Sequence, residues 1–455
     1  MPNRIVIIGG GFCGTVLAAK LLRRPPLEPT DIVLVERAAE VGRGVAYAVH
    51  DCPYLLNVPA GRLSADAEDP LQFLRFAQQT FADAAAEDFL PRQLYGDYLQ
   101  DFLRAAERVA PAHVRFARVH DEVIRIVRSQ GEDPMTVELA GGESLAAHRV
   151  ILALGVPPSP LQAWAAPVRQ HPAYHEDPRR PPPLGAEHSV LVIGNGLTMA
   201  DVLFSLSRDA ARTPRIITIS RRGLVSLPQS TFHAAALRGN GEILLARAGS
   251  IRQLLAATRN LTRDVAALGG DWREVVTFVR GLAPQLWQRL PDAERRRFLR
   301  HLQSHWDVHR HRLPPQMATH LDALRRRGKL EINAGRIHEL EPAGDRLRVT
   351  WRPRGGLHCE TLLADAVINA TGPDFVLKRS RDPLLNSLRR DGWVSEDALD
   401  LGLRTDAHCA CVGADGRVSD RLFYLGPMLR AGHWEATAAT ELRNHADQLA
   451  RHLAA

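Results

Sequence analysis

Arg4-Ile-Val-Ile-Ile8 runs straight into Gly9-Gly-Gly11-Phe-Cys-Gly14, and Thr15-Val-Leu-Ala-Ala-Lys-Leu-Leu-Arg-Arg24 follows before Pro25-Pro26. The first stretch is a continuous β-branched run, as in a parallel strand buried on both faces. The last has a helical pattern. Between them, Gly9, Gly11 and Gly14 stand at G-x-G-x-x-G spacing, and a second run, Asp31-Ile-Val-Leu-Val35, ends at Glu36. Gly9 allows the tight turn, Gly11 lets a pyrophosphate approach the backbone, and Gly14 lets helix and strand pack closely. The helix N-terminus presents unpaired N–H groups to phosphates, and Phe12 in the turn is counted among the cofactor contacts. Glu36, 22 residues after Gly14 and followed by Arg37, can accept hydrogen bonds from both ribose hydroxyls of an adenosine. A basic start, an apolar stretch and small residues also resemble a secretory signal. The strand, turn, helix, strand and acid in sequence favour a dinucleotide site instead.

The pattern recurs. Ser189-Val-Leu-Val-Ile193 leads to Gly194-Asn-Gly196, a helical stretch from Leu197 to Ser207 that includes Thr198, and a second strand, Arg215-Ile-Ile-Thr-Ile219. Met199 holds the third glycine position, which predicts looser helix packing or an altered turn. This unit ends in Ser220-Arg221-Arg222-Gly223 where the first has an acid. An acid there would repel a 2′-phosphate, whereas a hydroxyl and two guanidiniums can bind it in a forked geometry. The first site is therefore assigned FAD and the second NADPH; the competing reading makes Arg221 and Arg222 solvated surface residues. Two such units in one chain imply two dinucleotides with a redox chain between them.

The chain has 455 residues, 45% apolar and 24% charged, an ordinary globular composition that excludes collagen-like, disordered and disulfide-scaffold classes. Cys13, Cys52, Cys359, Cys409 and Cys411 contain no C-x-x-C pair for dithiol chemistry or zinc. No apolar run approaches the roughly 20 residues that span a bilayer. The net charge of +7 comes almost entirely from arginine, with lysine only at Lys20, Lys329 and Lys378, and is weak evidence for an anionic partner. His309 and His311, two apart, point in different directions on a helix and make no metal pair.

Residues 60–112 read as mainly helical and 114–154 as a β-meander around turn-rich 129–134, closing with Arg149-Val-Ile-Leu-Ala-Leu154 and Gly155. Proline-rich 156–160 and 180–183 read as connectors. Residues 240–328 are helical and dense in Arg and His; 329–371 return to strands and end in Ala366-Val-Ile-Asn-Ala-Thr-Gly372, an echo of 150–155. The fold class expected is α/β: two Rossmann-like dinucleotide-binding domains with a β-meander and a helical insertion. The first comprises 1–160 and 373–455, with a helical insert at about 60–112. The second is 186–372, with an insertion at about 240–328.

These motifs resemble the two-dinucleotide-binding, glutathione-reductase-like flavoproteins, which include flavin-containing and N-hydroxylating monooxygenases. Further stretches resemble a bacterial group of FAD/NAD(P)-binding proteins: Gly42-Arg-Gly-Val-Ala-Tyr47, Leu55-Leu-Asn-Val-Pro59, Gly61-Arg-Leu-Ser64, Pro91-Arg-Gln-Leu-Tyr-Gly-Asp-Tyr98 and Leu425-Gly-Pro-Met-Leu-Arg-Ala-Gly-His-Trp-Glu435. The resemblance implies that the 42–64 loop lines the flavin, with Asn57 near the isoalloxazine edge as the candidate catalytic amide; alternatively Asn57 only ties down the loop. Leu63, Ser64 and Val123 join the cofactor contacts. Gly426 and Pro427 begin a returning segment that presents backbone N–H groups and a helix N-terminus to the flavin. Trp434 packs over a ring or belongs to the core. The disulfide-reductase branch needs a cysteine pair that this sequence lacks.

The resemblance implies an NADPH-dependent FAD monooxygenase that oxygenates a small amine, amino acid or thiol through a flavin C4a-(hydro)peroxide. The alternatives are a flavin reductase or dehydrogenase serving another acceptor, and a non-catalytic FAD-binding redox sensor. The expected partners are a small-molecule substrate and oxygen, with no nucleic acid and no membrane; a homo-oligomer is left open. A cytoplasmic location is expected.

Overall fold

The computed structural model describes residues 3–48, 52–128, 133–230, 237 and 239–455. It divides into two compact units. The first is Met1–Pro157 with Gly281–Asp292 and Phe375–Ala455; the second is Pro158–Arg280 with Ala293–Asp374. The stretch 129–132, expected as a turn, lies outside the described residues.

The first unit begins with β1 (Asn3–Ile8), α1 (Phe12–Arg23) and β2 (Thr30–Glu36), followed by α2 (Gln72–Gln78) and α3 (Arg92–Arg108). Then come β3 (Val114–His120), β4 (Val123–Val127), β5 (Met135–Leu139), β6 (Ser144–Ala147) and β7 (Arg149–Leu152). Only β4, β5 and β6 make the antiparallel meander. β3, expected to start it, instead pairs in parallel with β2, Val33 opposite Ala117. Ile5, Val6 and Ile7 of β1 are fully buried, because the strand lies between β2 and β7 and is covered on both faces. Burial of each such side chain stabilises the fold by roughly 1.5–3 kcal/mol.

The second unit contains β8 (Tyr174–His175), β9 (Ser189–Ile193), α4 (Leu197–Leu206) and β10 (Arg215–Ser220). Its helices are α5 (Asn240–Ala246), α6 (Ile251–Ala267), α7 (Trp272–Arg289), α8 (Asp292–His301), α9 (Gln303–Arg310) and α10 (Pro315–Arg326). Within this run, Gly281–Asp292 counts with the first unit, so the helical stretch is shared between units. β11 (Leu330–Ala343), β12 (Arg346–Pro353), β13 (Glu360–Ala364) and β14 (Ala366–Asn369) complete a seven-stranded sheet of order β13-β12-β11-β10-β9-β14-β8. The two-residue β8 lies between the two proline-rich connectors. The long β11 serves twice: its start pairs in parallel with β10 and its remainder antiparallel with β12.

The chain returns to the first unit through α11 (Pro383–Arg390), β15 (Ala410–Val412), β16 (Val418–Tyr424) and α12 (Ala439–Ala454). The first sheet then reads β15-β16-β7-β1-β2-β3. In both sheets the opening strand (β1, β9) has the next strand on one side and a much later one on the other. That reversal leaves a crevice at the carboxyl ends of the strands, where doubly wound folds bind ligands. No helix among the described residues is long and apolar enough to cross a membrane.

Candidate functional site: two glycine cradles

In the first unit Gly9 takes φ +102°, and a Cβ there would overlap the carbonyl oxygen of Ala153. A Cβ at Gly14 would overlap the carbonyl of Gly9. Both glycines are thus required by the chain itself. Gly11 is different: a Cβ there would meet only Gly44 Cα, at an ordinary 3.6 Å, so no close contact among the described residues requires a glycine. α1 starts at Phe12 with Gly11 as its N-cap and no acid in its first turn, leaving its first N–H groups to an anion. Over the turn lies the 42–47 loop, whose Gly42 N–H donates to Gly10 O at 2.7 Å. Arg43 pins that loop to α3, reaching Glu40 at 2.5 Å and Asp97 at 2.6 Å. Arg92 holds the next stretch by donating to Leu55 O at 2.9 Å. The 91–98 motif therefore holds the chain at Arg43 and at Leu55.

Glu36 stands at the end of β2, but its carboxylate is already at work. Oε2 accepts from Gly10 N–H at 2.6 Å and Oε1 from Ala38 N–H at 2.8 Å. Each oxygen keeps a lone pair for a ribose hydroxyl. Arg37 is an exposed partner of Glu122 at 3.3 Å. Asn57 is half-buried, and its amide makes no hydrogen bond with the described residues, so it is not what ties the loop down. Leu63 and Val123 are buried in the core. Ser64 Oγ is spent within the loop, donating to Asp69 O at 2.6 Å and accepting from Asp66 N–H at 3.1 Å. Gly155 takes φ +73° with open space beside it.

The returning segment does not open as an α-helix. Pro427–Ala431 is a five-residue 3₁₀ turn, Met428 N–H donates to the Tyr424 hydroxyl at 3.2 Å, and Leu429 N–H to Gly426 O at 3.1 Å. Its leading N–H groups are consumed at home, because Pro427 has none and Tyr424 reaches under the turn. Trp434 is buried on Trp287, with ring centroids 4.7 Å apart, and the Arg430 guanidinium lies 4.4 Å from its centroid. One buried group here escaped the sequence reading: the Tyr95 hydroxyl, among Phe12, Tyr47, Phe73 and Tyr98, has no hydrogen-bond partner among the described residues.

The second cradle repeats the first. Gly194 takes φ +113°, and a Cβ there would overlap the Ala370 carbonyl. Its N–H donates to Ile219 O at 2.9 Å, as Gly9 N–H does to Val35 O at 2.8 Å. Gly196 has nothing within 4 Å of a Cβ, and Gly372 takes φ +86° beside open space. The N-cap angles of α4 at Gly196 (φ −82°, ψ −165°) nearly match those of α1 at Gly11 (φ −71°, ψ −159°), so Met199 does not alter the turn. It shows instead in the first helical hydrogen bond, 3.4 Å from Ala200 N to Gly196 O against 3.0 Å from Thr15 N to Gly11 O. Met199 is fully buried. Thr198 lies half-buried in the first turn of α4.

At the end of β10 the two arginines part company. Arg222 donates to Arg300 O at 2.9 Å and reaches His305 Nε2 at 3.1 Å. Burial and the Arg222 charge hold His305 below its ordinary value, which suits an acceptor nitrogen. Arg222 is therefore folded onto α8 and α9. Arg221 is exposed and makes no ion pair or hydrogen bond among the described residues. Ser220 Oγ accepts from Gly223 N–H at 3.1 Å. The residue missed by sequence reasoning is Asn195: it is 4% exposed, and neither amide atom has a partner among the described residues. An unsatisfied buried polar group costs roughly 1–3 kcal/mol, and only the folded structure reveals it.

Residues 6–157 match a family model described as FAD-NAD(P)-binding. No curated protein matches the chain. Among solved structures, ornithine N-hydroxylase from Kutzneria sp. 744, determined with reduced FAD, NADP+ and L-ornithine, is similar at TM-score 0.62 and 15% identity over 100% of this chain and 99% of that one. The FAD-bound cadaverine monooxygenase of Erwinia amylovora is similar at TM-score 0.66 and 15% identity, covering 99% and 94%. L-lysine 6-monooxygenase from Pseudomonas syringae is similar at 0.62 and 19%, covering 100% and 99%. The chain therefore has the α/β fold of the two-dinucleotide-binding flavoproteins.

Proposed function

We propose that this protein is an FAD-dependent, NADPH-using monooxygenase of a small amine, amino acid or thiol. The observation that carries this reading is the pair of cradles: one ends in the acid Glu36, the other in Ser220 and a free Arg221. Gly9, Gly11, Gly14, the head of α1 and Glu36 would hold FAD; Gly194, Gly196, the head of α4, Ser220 and Arg221 would hold NADPH. Bound FAD would supply hydride acceptance and oxygen reduction, chemistry that needs no protein acid–base pair. The chain's own part is positional. The 42–64 loop, clamped by Arg43 and Arg92, carries the unengaged Asn57 amide, which can donate to and accept from a ligand. The amine N-hydroxylases of similar fold support an amine or amino acid as the substrate.

The cysteines weigh against a disulfide reductase. Cys13 and Cys409 are buried with their thiols pushed up to about 12, and Cys411 is raised further still, chiefly by burial. Thiols held protonated do not relay electrons by thiolate exchange. Small-molecule partners and a cytoplasmic setting, where NADPH is available, fit the same reading, with no role for nucleic acid or membrane.

The test is NADPH and oxygen consumption by the FAD-loaded protein across a panel of amines, amino acids and thiols, with product masses. Substrate-dependent consumption with a gain of one oxygen atom is expected. NADPH oxidation that no panel member stimulates would point to a reductase, and a protein that takes up no flavin and leaves NADPH untouched would sink both.

A further inference from the structure

The two cradles correspond element for element in chain order: β1 to β9, Gly9 to Gly194, Gly11 to Gly196, β2 to β10. In that correspondence Asn195 takes the place of Gly10. A Cβ built on Gly10 would lie 3.0 Å from Glu36 Cβ and 3.0 Å from Val41 Cγ1, so this position points at the corner where the first unit keeps its acid. Gly10 N–H donates to that acid. The equivalent corner of the second unit holds Ser220, whose Oγ is taken by Gly223 N–H. Asn195, at the position equivalent to Gly10, carries a buried amide with no partner on either atom among the described residues. Its backbone N–H likewise has no acceptor among the described residues. The corner that presents a carboxylate in one unit thus presents two unused kinds of N–H donor in the other.

We infer that Asn195 selects the phosphorylated pyridine dinucleotide, its amide turning onto the 2′-phosphate of the adenosine ribose beside Ser220 and Arg221. This rests on the reading of the second cradle as the NADPH site and adds a specificity residue to it. The amide N–H2 and the backbone N–H of Asn195 both gain an acceptor when an anionic oxygen arrives. A plain ribose hydroxyl is a neutral and weaker acceptor for those N–H groups, so the preference is built into the turn as well as into the arginine beyond it.

The experiment is titration of the FAD-loaded protein with NADP+ and NAD+, for the wild type, Asn195→Asp and Asn195→Gly. Asn195→Asp keeps the shape but sets a carboxylate against the phosphate; it should weaken NADP+ at least tenfold and NAD+ less than threefold. Asn195→Gly restores the first unit's residue, leaves the fold intact, and should weaken NADP+ several-fold; it decides the matter if the aspartate variant does not fold. An NADP+ to NAD+ affinity ratio within twofold of wild type in the folded variants would overturn the inference while leaving the NADPH site standing. Equal weakening of both nucleotides would also overturn it, making Asn195 a general part of the cradle. A wild type that binds neither nucleotide would remove the NADPH reading itself, and this inference with it.

Discussion

The carbonyl oxygen of Ala153 occupies the space in which a side chain at Gly9 would begin. The glycine that bends the chain after β1 and a residue 144 positions later therefore specify one another. Ala153 N–H donates to Ile8 O at 2.8 Å, so the contact is locked by the β1–β7 ladder. Ala370 repeats it on Gly194, with its own N–H on Ile193 O at 2.8 Å. The echo between 150–155 and 366–372 in the sequence is the trace of this shared constraint.

That constraint separates the first-cradle glycines into two experimental classes. Gly14→Ala drives a methyl into the immovable Gly9 carbonyl and should destabilise the first unit by about 3 kcal/mol. Gly11→Ala meets no atom closer than 3.6 Å, so its thermal unfolding without flavin should match wild type while FAD affinity falls at least tenfold. Thermal scans of flavin-free protein and flavin titrations distinguish them; equal melting losses in both variants would contradict the division.

The amide of Asn57 is without a partner among the described residues, so Asn57→Ala should fold and retain FAD like wild type. Turnover with the best substrate should drop about tenfold or more, in line with loss of one positioned hydrogen-bonding group. Unchanged kcat together with a lowered melting temperature would return the residue to a loop-holding role.

Arg221 and Arg222 should behave differently despite being adjacent. Arg221→Ala removes an exposed, unengaged guanidinium: NADPH KM is expected to rise about tenfold, with NADH and stability little changed. Arg222→Ala releases the Arg300 carbonyl and His305, and should lower the melting temperature of the second unit too. Parallel kinetics and melting curves check this.

Arg43 acts at a distance from the cradle. Arg43→Met keeps most of the stem and deletes the bonds to Glu40, Asp97 and Gln93 O. Only the bond to Asp97 is partly buried, and exposed ion pairs contribute roughly 0.2–1 kcal/mol each, so the effect falls on the loop more than on global stability. Loosening the 42–47 loop should speed FAD dissociation, read as flavin fluorescence released on dilution.

His445 gives the first unit an acid limit. Burial, with the adjacent His433, lowers it to about 4, Glu441 opposing. The unfolded chain takes up this proton near pH 6.5, so the contribution is complete above pH 6.5 and is lost as the pH falls from there towards 4. For this group the loss is roughly 3 kcal/mol. Urea unfolding at pH 7.5, 6 and 5 should show it, and His445→Leu should flatten the dependence, with the largest gain over wild type at pH 5. A wild-type stability that is level over this range would refute the assignment.

The strand, turn and helix of each cradle were legible because their signals are local: β-branched runs, glycine spacing, a proline stop. Less legible were features set by a distant partner. β3 reads as a meander strand by its own residues, yet the edge of β2 captures it. Arg222 reads as half of a phosphate fork until α8 and α9 supply a carbonyl and an imidazole. The N–H groups after Gly426 read as free until Tyr424 is placed beneath them. Asn195 carries no signal in sequence at all, since any residue is allowed between the two glycines.

The sequence by itself determined two nucleotide-binding turns, one followed by an acid and the other by a hydroxyl and arginines, because these depend on backbone freedom and side-chain chemistry within some thirty residues. The tertiary structure decided which of those groups remain available. Hydrogen bonds and burial are settled between residues far apart in the chain, and a donor's use is known only once every competing acceptor has its place.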